Sequence, residues 1–566
     1  MSAPDPLEGL DPEQRRAAEA LLGPVCILAG AGTGKTRAIT HRIAHGIREG
    51  VYAPGSILAL TFTAKAAGEL RHRLRALGAP GAVVRTFHAE ALAQVGHFWP
   101  DLVGGSAPRL LDNKGRHIGE AADTIRIKLG PAAIRDVAGE IEWRKTSELS
   151  IDAYRVAARG RQMPRGLDVD AVADIQRAYE DLKDERRRID FEDVLLLACG
   201  LLDDEPVARD RVRAQYRFFV VDEYQDVSPL QQRLLKLWLG ERRDLCVVGD
   251  ANQTIYTFAG ASSSYLLDFA RDHPGAEVVR LERNYRSTAQ VLDLANRLMR
   301  GRPGALELRA ATSARGSVTG PVVYDDDQAE ATAIADAVVA ELKAGTDPSQ
   351  IAVLHRVNEQ AVVLEEALAA RGVVTRSLAG TPFFEIPAVR KFMSALAVQA
   401  QRFPDDPVRG FVADTARDAG WTLNRADSRL GRDDWAGLDA IVRVAEAAPD
   451  DVTLGRFAAE LEDREQAKGE LPMRAVVLGT LHAAKGLEWE SVHLVGLSEG
   501  MLPVVHARGQ AAIDEERRLF YVGITRARRR LSLSWARRGP RSERQPSRFL
   551  QELRSGTRDA APTAAR

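Results

Sequence analysis

The chain has 566 residues, of which 45% are hydrophobic and 28% are charged, and its formal net charge is −1. This composition is typical of a globular protein in water, and the length predicts about three or four domains of roughly 100–200 residues. The near-zero charge excludes attraction of nucleic acid by a global positive field, so any phosphate contacts have to come from local grooves and backbone amides.

The sequence carries no feature of a membrane, secreted or metal-cluster protein. It has no run of roughly 18 apolar residues, and its acidic N-terminus lacks the basic start and apolar core of a signal peptide. The cysteines Cys26, Cys199 and Cys246 lie far apart, each within an apolar run, and form no CxxC pair. They are predicted to be buried, reduced thiols. We therefore expect a cytoplasmic protein without a membrane partner or a metal cluster.

Strand-like apolar runs alternate with amphipathic helical segments along the chain, which predicts a parallel α/β architecture. The runs are residues 25–28, 56–60, 82–84, 218–221, 244–248, 277–281, 351–354, 476–480 and 491–495. They fall into one group before about residue 272 and one after it, so two α/β lobes are expected.

Two stretches with little strand signal predict a helical insertion in each lobe. The expected division is lobe 1 over residues 1–89 and 190–276, with an insertion over 90–189, and lobe 2 over 277–380 and 471–553, with a reduced insertion over 381–470. The remaining residues, 554–566, have little apolar surface to bury and are predicted to be a disordered tail.

The strongest local signal is a loop of small residues between an apolar run and a helical segment. The loop consists of Ala29, Gly30, Ala31, Gly32, Thr33, Gly34, Lys35 and Thr36. Its backbone N–H groups and the following helix N-terminus suit a phosphate, Lys35 suits the β- and γ-phosphates of ATP, and the Thr36 hydroxyl suits Mg²⁺. The alternative, a glycine-rich turn that binds nothing, is disfavoured by the Gly-Lys-Thr ending in this context.

A second signal is the pair Asp222 and Glu223, which follows the fully apolar run at residues 218–221. Carboxylates at the end of a buried strand are unfavourable unless a cation compensates them. Asp222 suits Mg²⁺, and Glu223 suits acceptance of a proton from the attacking water. An acidic loop is the alternative, but with the P-loop present the two motifs predict a nucleoside triphosphatase.

Further polar segments occur in a fixed order: residues 10–14 (LDPEQ), 61–67 (TFTAKAA), 248–256 (VGDANQTIY), 281–288 (LERNYRST), 480–489 (TLHAAKGLEW) and 516–527 (ERRLFYVGITRA). Together they resemble the motifs of the UvrD/PcrA/Rep family of superfamily 1A DNA helicases. The resemblance covers nearly the whole chain. It implies two RecA-like P-loop lobes with parallel sheets, each carrying a helical insertion subdomain.

The resemblance implies a set of nucleotide contacts. Gln14 is expected to read the adenine edge, although it also fits a capped helix start with Asp11, and both roles remain open. Tyr285 is expected to stack on adenine, and Glu488 to hold the ribose. The other implied nucleotide contacts are Arg37, Arg42, Gln253, Arg286 and Arg526. Among these, Gln253 senses the γ-phosphate and the two last arginines neutralise it, so they join Lys35, Asp222 and Glu223 as catalytic residues.

The resemblance also implies contacts to single-stranded DNA. These are Phe62, Thr63, Thr86, His88, Tyr256 and Phe258 in lobe 1, and Arg356, Asn358, Thr480 and His482 in lobe 2. Where the family commonly has Trp-Arg, this chain has Phe258 and Ala259, which removes stacking area and one charge. The segment at residues 190–193 (DFED) is predicted to be a helix N-terminus with a structural role, because its acidic residues lie near the positive end of the helix dipole.

The implied function is an ATP- and Mg²⁺-dependent 3′-to-5′ translocase and helicase that acts on 3′-tailed or forked DNA in repair or replication. The lobe 2 insertion is small and lacks a recognisable duplex-binding hairpin. A translocase that displaces proteins with little unwinding therefore remains an alternative, as does a non-motor DNA-binding regulator. RNA as the substrate also stays open, since no residue signals contact with a 2′-hydroxyl.

Overall fold

The computed structural model describes residues 5–423, 427–466, 471, 473–540 and 542–555. The chain divides into two compact units, Met1–Glu282 with Arg302–Leu306, and Arg283–Gly301 with Glu307–Arg566. Within the described residues, every helix is too short or too polar to cross a bilayer.

The first unit begins with alternating helices and strands, as the sequence predicts. They are α1 (Pro12–Glu19), β1 (Val25–Ala29), α2 (Lys35–Arg48), β2 (Ile57–Thr61), α3 (Ala64–Ala76), β3 (Val83–Thr86) and α4 (Phe87–Leu102). A helical segment follows, between two short strands that pair with each other in parallel. Its elements are β4 (Arg109–Leu110), α5 (Lys114–Thr124), α6 (Pro131–Thr146), α7 (Ile151–Ala157), α8 (Val169–Glu185) and β5 (Arg188–Ile189).

The chain then completes the first unit. These elements are α9 (Phe191–Asp204), α10 (Pro206–Gln215), β6 (Phe218–Val221), α11 (Pro229–Leu239), β7 (Leu245–Gly249), α12 (Ser264–Leu267), α13 (Phe269–Asp272) and β8 (Glu277–Leu281). Short 3₁₀ turns at Tyr224–Asp226, Ala251–Gln253 and Thr257–Ala259 follow the ends of β6 and β7.

The described part of the first unit has a six-stranded parallel sheet in the order β3-β2-β6-β7-β1-β8. Its strands are apolar on both sides because helices cover both faces. Parallel strands bring their carboxyl ends to one edge of the sheet, and ligands bind at that edge in such folds. The loops after β1, β2, β3, β6 and β7 all open there.

Two boundaries differ from the sequence prediction. Residues 277–281, assigned there to lobe 2, form β8, which pairs with β1 from Val25 opposite Glu277 to Ala29 opposite Leu281. Most of α4 falls in the predicted insertion, yet Ala91 and Val95 are buried in the core of the sheet domain. Both differences have one cause. A strand or helix belongs to the domain that it packs against, and the apolar pattern of a segment does not specify which domain that is.

The second unit repeats this plan. Its elements are β9 (Arg283–Asn284), α14 (Ala289–Met299), β10 (Arg309–Ala310), β11 (Ser317–Asp326), α15 (Asp327–Lys343), β12 (Ile351–His355), α16 (Glu359–Ala369), β13 (Thr375–Ser377), α17 (Pro387–Arg402), α18 (Val408–Asp418), α19 (Arg432–Ala447), α20 (Leu454–Gln466), β14 (Val476–Thr480), β15 (Trp489–Leu494), α21 (Gln510–Ile524), β16 (Ala527–Arg538) and α22 (Arg548–Ser555). Helices α17 to α20 enclose an apolar core of their own.

The sheet of the second unit has, within the described residues, six parallel strands in the order β11-β16-β15-β12-β14-β13. Sequence reasoning missed three of them. In β16, Leu531 and Leu533 are buried while Arg528 and Arg529 are partly exposed, so the arginines mask the alternating pattern. Helix α22 extends to Ser555, into the predicted tail, and the rest of that tail (556–566) lies outside the described residues.

Candidate ATP and DNA sites

The P-loop follows β1 directly and leads into α2, as the sequence predicts. Gly34 stands at the helix start with φ +83, a left-handed conformation that favours glycine. A Cβ at this position would lie 2.6 Å from Nε2 of Gln14, which donates a hydrogen bond to the Thr33 carbonyl at 3.0 Å. Gln14 is buried, and its backbone N–H donates to Asp11 at 2.7 Å. Gln14 therefore belongs both to a capped helix start and to the wall of the P-loop.

Lys35 and the two carboxylates after β6 form the charged centre of this edge. Lys35 Nζ lies 3.3 Å from Oε1 of Glu223. Burial lowers the pKa of Lys35, but Glu223, Asp250 and Asp222 outweigh burial and raise it, so the ammonium stays charged. Glu223 has φ +52, an uncommon conformation for a residue with a side chain.

Asp222 is a buried carboxyl group whose charge is unfavourable in this site. Burial and the neighbouring Glu223 raise the pKa of Asp222 to about 7, although Lys35 acts in the opposite direction. A buried carboxylate that prefers its proton is incompletely compensated by the protein. The Asp222 carboxylate and the Thr36 hydroxyl are hard oxygen donors of the kind Mg²⁺ takes, so the residues present fit this ion.

A chain of hydrogen bonds connects Glu223 to Gln253. Gln225 Nε2 donates to Oε2 of Glu223 at 2.5 Å, and Oε1 of Gln225 accepts from the Asp250 backbone N–H at 3.0 Å. Gln253 Nε2 then donates to Oδ2 of Asp250 at 2.8 Å. Gln225 is fully buried and was missed by the sequence analysis. An amide next to two carboxylates at the end of a buried strand is the signal that points to it.

The two remaining basic residues predicted near the nucleotide are engaged elsewhere in the first unit. Arg37 is exposed and donates to the Gly9 carbonyl at 2.9 Å. Arg42 is buried and donates to the Ala17 carbonyl at 3.1 Å. Both side chains thus tie α2 to the segment around α1, and their nucleotide contacts stay predictions.

Aromatic rings gather next to the Gln253 turn. Phe62, after β2, is partly exposed and stacks on Tyr256 with centroids 6.0 Å apart and an interplanar angle of 8°. Phe258 meets Tyr256 edge-on, with centroids 6.1 Å apart, and is 55% exposed. The three predicted DNA-stacking rings of the first unit therefore form one cluster, and two of them present area that a base can cover.

A second aromatic pair lies at the helix starts after β3 and β5. His88 packs against Phe191 with centroids 5.3 Å apart, and Phe191 is 60% exposed. Burial lowers the pKa of His88 to about 4, so its ring is neutral at pH 7. The predicted helix start is confirmed, and the structure adds that Asp190 and Asp193 form a capping box there. The exposed Phe191 between these residues was missed as a candidate DNA contact.

Both threonines predicted to contact DNA in the first unit cap helices. Thr63 Oγ1 accepts from the Ala66 N–H at 3.1 Å at the start of α3, and Thr86 Oγ1 accepts from the Ala89 N–H at 3.1 Å at the start of α4. Helix N-termini carry partial positive charge, so α3 and α4 both present a favourable end for a phosphate at the edge where the strands finish.

The predicted γ-phosphate arginines lie together in the second unit. Arg286 Nε pairs with Glu488, and Arg286 Nη1 reaches the Thr525 carbonyl at 3.5 Å. Arg526 is buried, and its guanidinium donates to the Val522 carbonyl at 2.9 Å and the Leu487 carbonyl at 3.0 Å. The loop before β15 therefore contacts both arginines, Arg286 through Glu488 and Arg526 through Leu487.

Tyr285 precedes this pair of arginines. Its ring is partly exposed, and the guanidinium of Arg283 lies 5.7 Å from its centroid. A partly exposed aromatic face one residue before Arg286 is a suitable platform for a base.

The predicted DNA residues of the second unit lie at the ends of β12 and β14, which pair with His355 opposite Thr480. Thr480 Oγ1 accepts from the Ala483 N–H at 3.3 Å, and Asn358 is exposed at the start of α16. Burial, together with the nearby Arg356 and Lys485, lowers the pKa of His482 to about 4. Arg356 itself is engaged with Glu516.

Comparison with known proteins shows which family the chain belongs to. ATP-dependent DNA helicase UvrD2 of Mycobacterium tuberculosis is 43% identical to this chain, over 100% of the chain and 84% of its own length. Profiles of the UvrD/REP helicase N-terminal domain and the UvrD-like helicase C-terminal domain match residues 10–274, and residues 279–426 and 451–538, respectively. The chain belongs to the UvrD/Rep helicase family.

More distant UvrD-family proteins align over nearly as much of the chain. DNA helicase II of Escherichia coli is 30% identical over 97% of the chain and 88% of its own length. ATP-dependent DNA helicase PcrA of Bacillus subtilis is 28% identical over 97% of the chain and 86% of its own length. Membership confirms the family resemblance, the α/β fold with two RecA-like lobes, and the enzyme class of ATP-dependent DNA helicase.

The UvrD-family motifs place their residues as two sets, one in each unit. In the first unit, one sheet edge brings together Lys35, Asp222, Glu223 and Gln253, with the aromatic cluster beside them. In the second unit, Arg286, Glu488 and Arg526 are brought together, while the predicted DNA residues follow β12 and β14.

Proposed function

We propose that this UvrD-family protein moves 3′ to 5′ along single-stranded DNA with energy from ATP, and that it unwinds 3′-tailed or forked duplexes in DNA repair or replication. One observation carries the proposal. Gln253 joins the polar chain that begins at Glu223, and Tyr256, only three residues later, stacks on Phe62. A change at the nucleotide therefore has a short covalent route to a base-stacking ring.

The proposed roles of the ATP-site residues combine what the family resemblance implies with the chemistry of each side chain. The P-loop amides and Lys35 bind the phosphates, and Gln14 contacts the adenine. Thr36 and Asp222 hold Mg²⁺, which neutralises phosphate charge when bound. Glu223 accepts a proton from water, positioned by its contacts with Lys35 and Gln225. In the second unit, Tyr285 stacks on the base, Glu488 holds the ribose, and Arg286 with Arg526 counters the charge of the γ-phosphate.

The DNA contacts divide by chemistry into two kinds. Phe62, Tyr256, Phe258 and Phe191 offer ring faces to bases. The capped starts of α3 and α4, with Thr63 and Thr86, suit backbone phosphates, as do the strand ends of the second unit. His88 and His482 are neutral at pH 7, so we expect them to donate hydrogen bonds rather than charge. These contacts read no base edge, which suits a motor that passes over any sequence.

We also propose the domain division predicted from the sequence, with its first lobe extended through Glu282. The β4–β5 pair marks the base of the lobe 1 insertion, and α17 to α20 are the lobe 2 insertion.

ATP hydrolysis with and without single-stranded nucleic acid tests the proposal. We expect oligo-dT to stimulate turnover and oligo-U to do so much less. Lys35→Ala and Glu223→Gln should each lose the stimulated activity, whereas Glu19→Gln, an exposed carboxyl change on α1, should keep it. Stimulated turnover that survives in Lys35→Ala or Glu223→Gln would contradict the assignment. Stronger stimulation by RNA would redirect it to another substrate.

A second candidate is a translocase that clears proteins from single strands and unwinds poorly. It is favoured by the short lobe 2 insertion, in which the described helices are α17 to α20. A 3′-tailed duplex and a biotinylated strand carrying streptavidin separate the two functions. Efficient strand separation supports the helicase, and streptavidin release without strand separation supports the translocase. A 5′-tailed duplex controls for polarity.

A further inference from the structure

Thr146, the last residue of α6, reaches from the helical insertion to the turn that carries Phe258. Its Oγ1 lies 3.0 Å from the Ala259 carbonyl oxygen, to which it donates. The same hydroxyl has two alternative acceptors in its own helix, the carbonyls of Glu142 at 2.8 Å and Trp143 at 3.3 Å. Thr146 is buried, and its contact with Ala259 is partly buried.

The turn itself has a defined shape. The N–H groups of Ala259 and Ala261 both donate to the Tyr256 carbonyl, at 3.0 and 3.2 Å. Gly260 has φ +92, and a Cβ there would lie 2.9 Å from Thr146 Oγ1. Thr146 therefore touches the turn at two successive residues, directly after the exposed Phe258 ring. A larger residue at position 260 would meet both backbone strain and this hydroxyl.

The end of α6 is itself anchored by a buried charge cluster. Lys145 Nζ lies 2.8 Å from Asp190, 2.5 Å from Asp193 and 3.0 Å from Glu180. Burial lowers the pKa of Lys145, but these three carboxylates outweigh burial and raise it, so the lysine stays charged. Lys183 pairs with the same carboxylates. Loss of any one partner from such a cluster is destabilising, because it leaves a buried charge uncompensated.

Members of this cluster are chain neighbours of Phe191 and of Thr146, the residue that contacts the turn after Phe258. Asp190 is the N-cap of α9, immediately before Phe191. Lys145 immediately precedes Thr146, which holds the turn after Phe258. The cluster thus connects the backbone that carries Phe191 with the backbone that carries Phe258.

We propose that Thr146 of the helical insertion, on a helix end anchored by Lys145, is a positioning residue for single-stranded DNA binding that holds the turn after Phe258. The inference rests on the proposed DNA contact of Phe258. Preorganisation reduces the ordering entropy lost on binding.

The test measures binding of fluorescein-labelled oligo-dT by anisotropy, together with the oligo-dT dependence of ATP hydrolysis. Thr146→Val removes the hydroxyl and keeps the shape, whereas Thr146→Ser keeps the hydroxyl. We expect Thr146→Val to weaken binding about threefold to tenfold, as loss of one hydrogen bond implies. Thr146→Ser should bind within about twofold of the parent protein. Turnover at saturating DNA should change little in either variant, because Thr146 contacts no nucleotide-site residue.

A double-mutant cycle with Phe258→Ala decides whether Thr146 acts through that ring. If it does, Thr146→Val adds no further loss to Phe258→Ala. Additive losses, or tight binding by Thr146→Val beside weak binding by Phe258→Ala, would overturn the inference alone. Normal binding by Phe258→Ala would instead remove the proposed DNA contact and the inference with it. Thr146→Ala, with the same expected direction, replaces Thr146→Val if thermal melting shows that the latter is misfolded.

Discussion

Arg356 and Glu516 form a two-pronged ion pair inside the second unit. The Arg356 Nη2 lies 2.8 Å from Oε1 of Glu516, and its Nε lies 3.1 Å from Oε2. Glu516 also accepts the backbone N–H of Val504 at 3.1 Å. It stands in α21, the helix that ends just before Arg526. The predicted DNA contact at the end of β12 and the helix that leads to the candidate arginine finger therefore share one carboxylate.

This pair predicts a stability effect that a simple DNA contact lacks. Arg356→Ala should destabilise the second unit by about 3–5 kcal/mol, because the buried Glu516 carboxylate loses its partner. The expected fall in melting temperature is about 6 °C or more, measured by scanning calorimetry without DNA. In the double variant Arg356→Ala with Glu516→Gln, part of the loss should return because the buried charge is gone. A melting temperature equal to that of the parent protein in Arg356→Ala would show that the pair contributes nothing.

Gln225 is predicted to be essential for rapid hydrolysis. Gln225→Glu replaces the amide that contacts Glu223 with a carboxylate, so two like charges meet and the proton-accepting role of Glu223 is disturbed. We expect the turnover number of DNA-stimulated hydrolysis to fall about 10- to 100-fold, while the oligo-dT concentration for half-maximal stimulation changes less. Gln401→Glu, the same change at an exposed position on α17, is the matched control. Equal turnover in both variants would remove Gln225 from the site.

We predict that the charge of Asp222 lowers the stability of the ligand-free protein. Asp222→Asn removes a buried charge that is incompletely compensated, so the melting temperature of the ligand-free protein should rise by a few degrees. The same change removes the carboxylate proposed to hold Mg²⁺, so ATP hydrolysis should be lost. Melting is measured with and without Mg²⁺ and a non-hydrolysable ATP analogue. The ligands should stabilise the parent protein and leave Asp222→Asn nearly unaffected, and equal stabilisation of both would refute the metal role.

His355, at the buried end of β12, predicts a pH dependence of stability. Burial lowers the pKa of His355 to about 4, against an ordinary value of about 6.5. The folded state therefore resists protonation of His355. The resulting contribution to the free energy of unfolding is complete above about pH 6.5 and is lost as the pH falls toward 4. The loss is at most about 1.4 kcal/mol per pH unit.

Thermal melts between pH 7 and pH 5 test this dependence. His355→Asn should show a smaller fall in melting temperature than the parent protein. His506→Asn, which changes an exposed histidine, should follow the parent. If the melting temperatures of all three proteins fall equally with pH, His355 does not contribute to the loss of stability in acid.

Much of the nucleotide-site layout could be predicted from contiguous sequence. The P-loop, the Asp222–Glu223 pair and the helix start at residues 190–193 each depend on residues within a few positions of one another, where the backbone alone sets the geometry. The strands that were predicted lie within one or two residues of their positions in the structure for the same reason, whereas β11, β13 and β16 were missed. Gln225 and Phe191 lie inside these segments, but they were not predicted as site residues. Gln225 is a candidate because it is buried and Phe191 because it is exposed, and the sequence order does not specify either property.

The sequence alone therefore determined the enzyme family, the two parallel α/β lobes and the identity of the phosphate loop, because local patterns and motif order carry that information. Only the tertiary structure decided that β8 belongs to the first sheet, that Arg356 is paired with Glu516, and that Thr146 holds the turn after Phe258. Each of these contacts joins residues more than a hundred positions apart. Their partners are chosen by the packing of whole helices and strands, which apolar periodicity and turn chemistry leave unspecified.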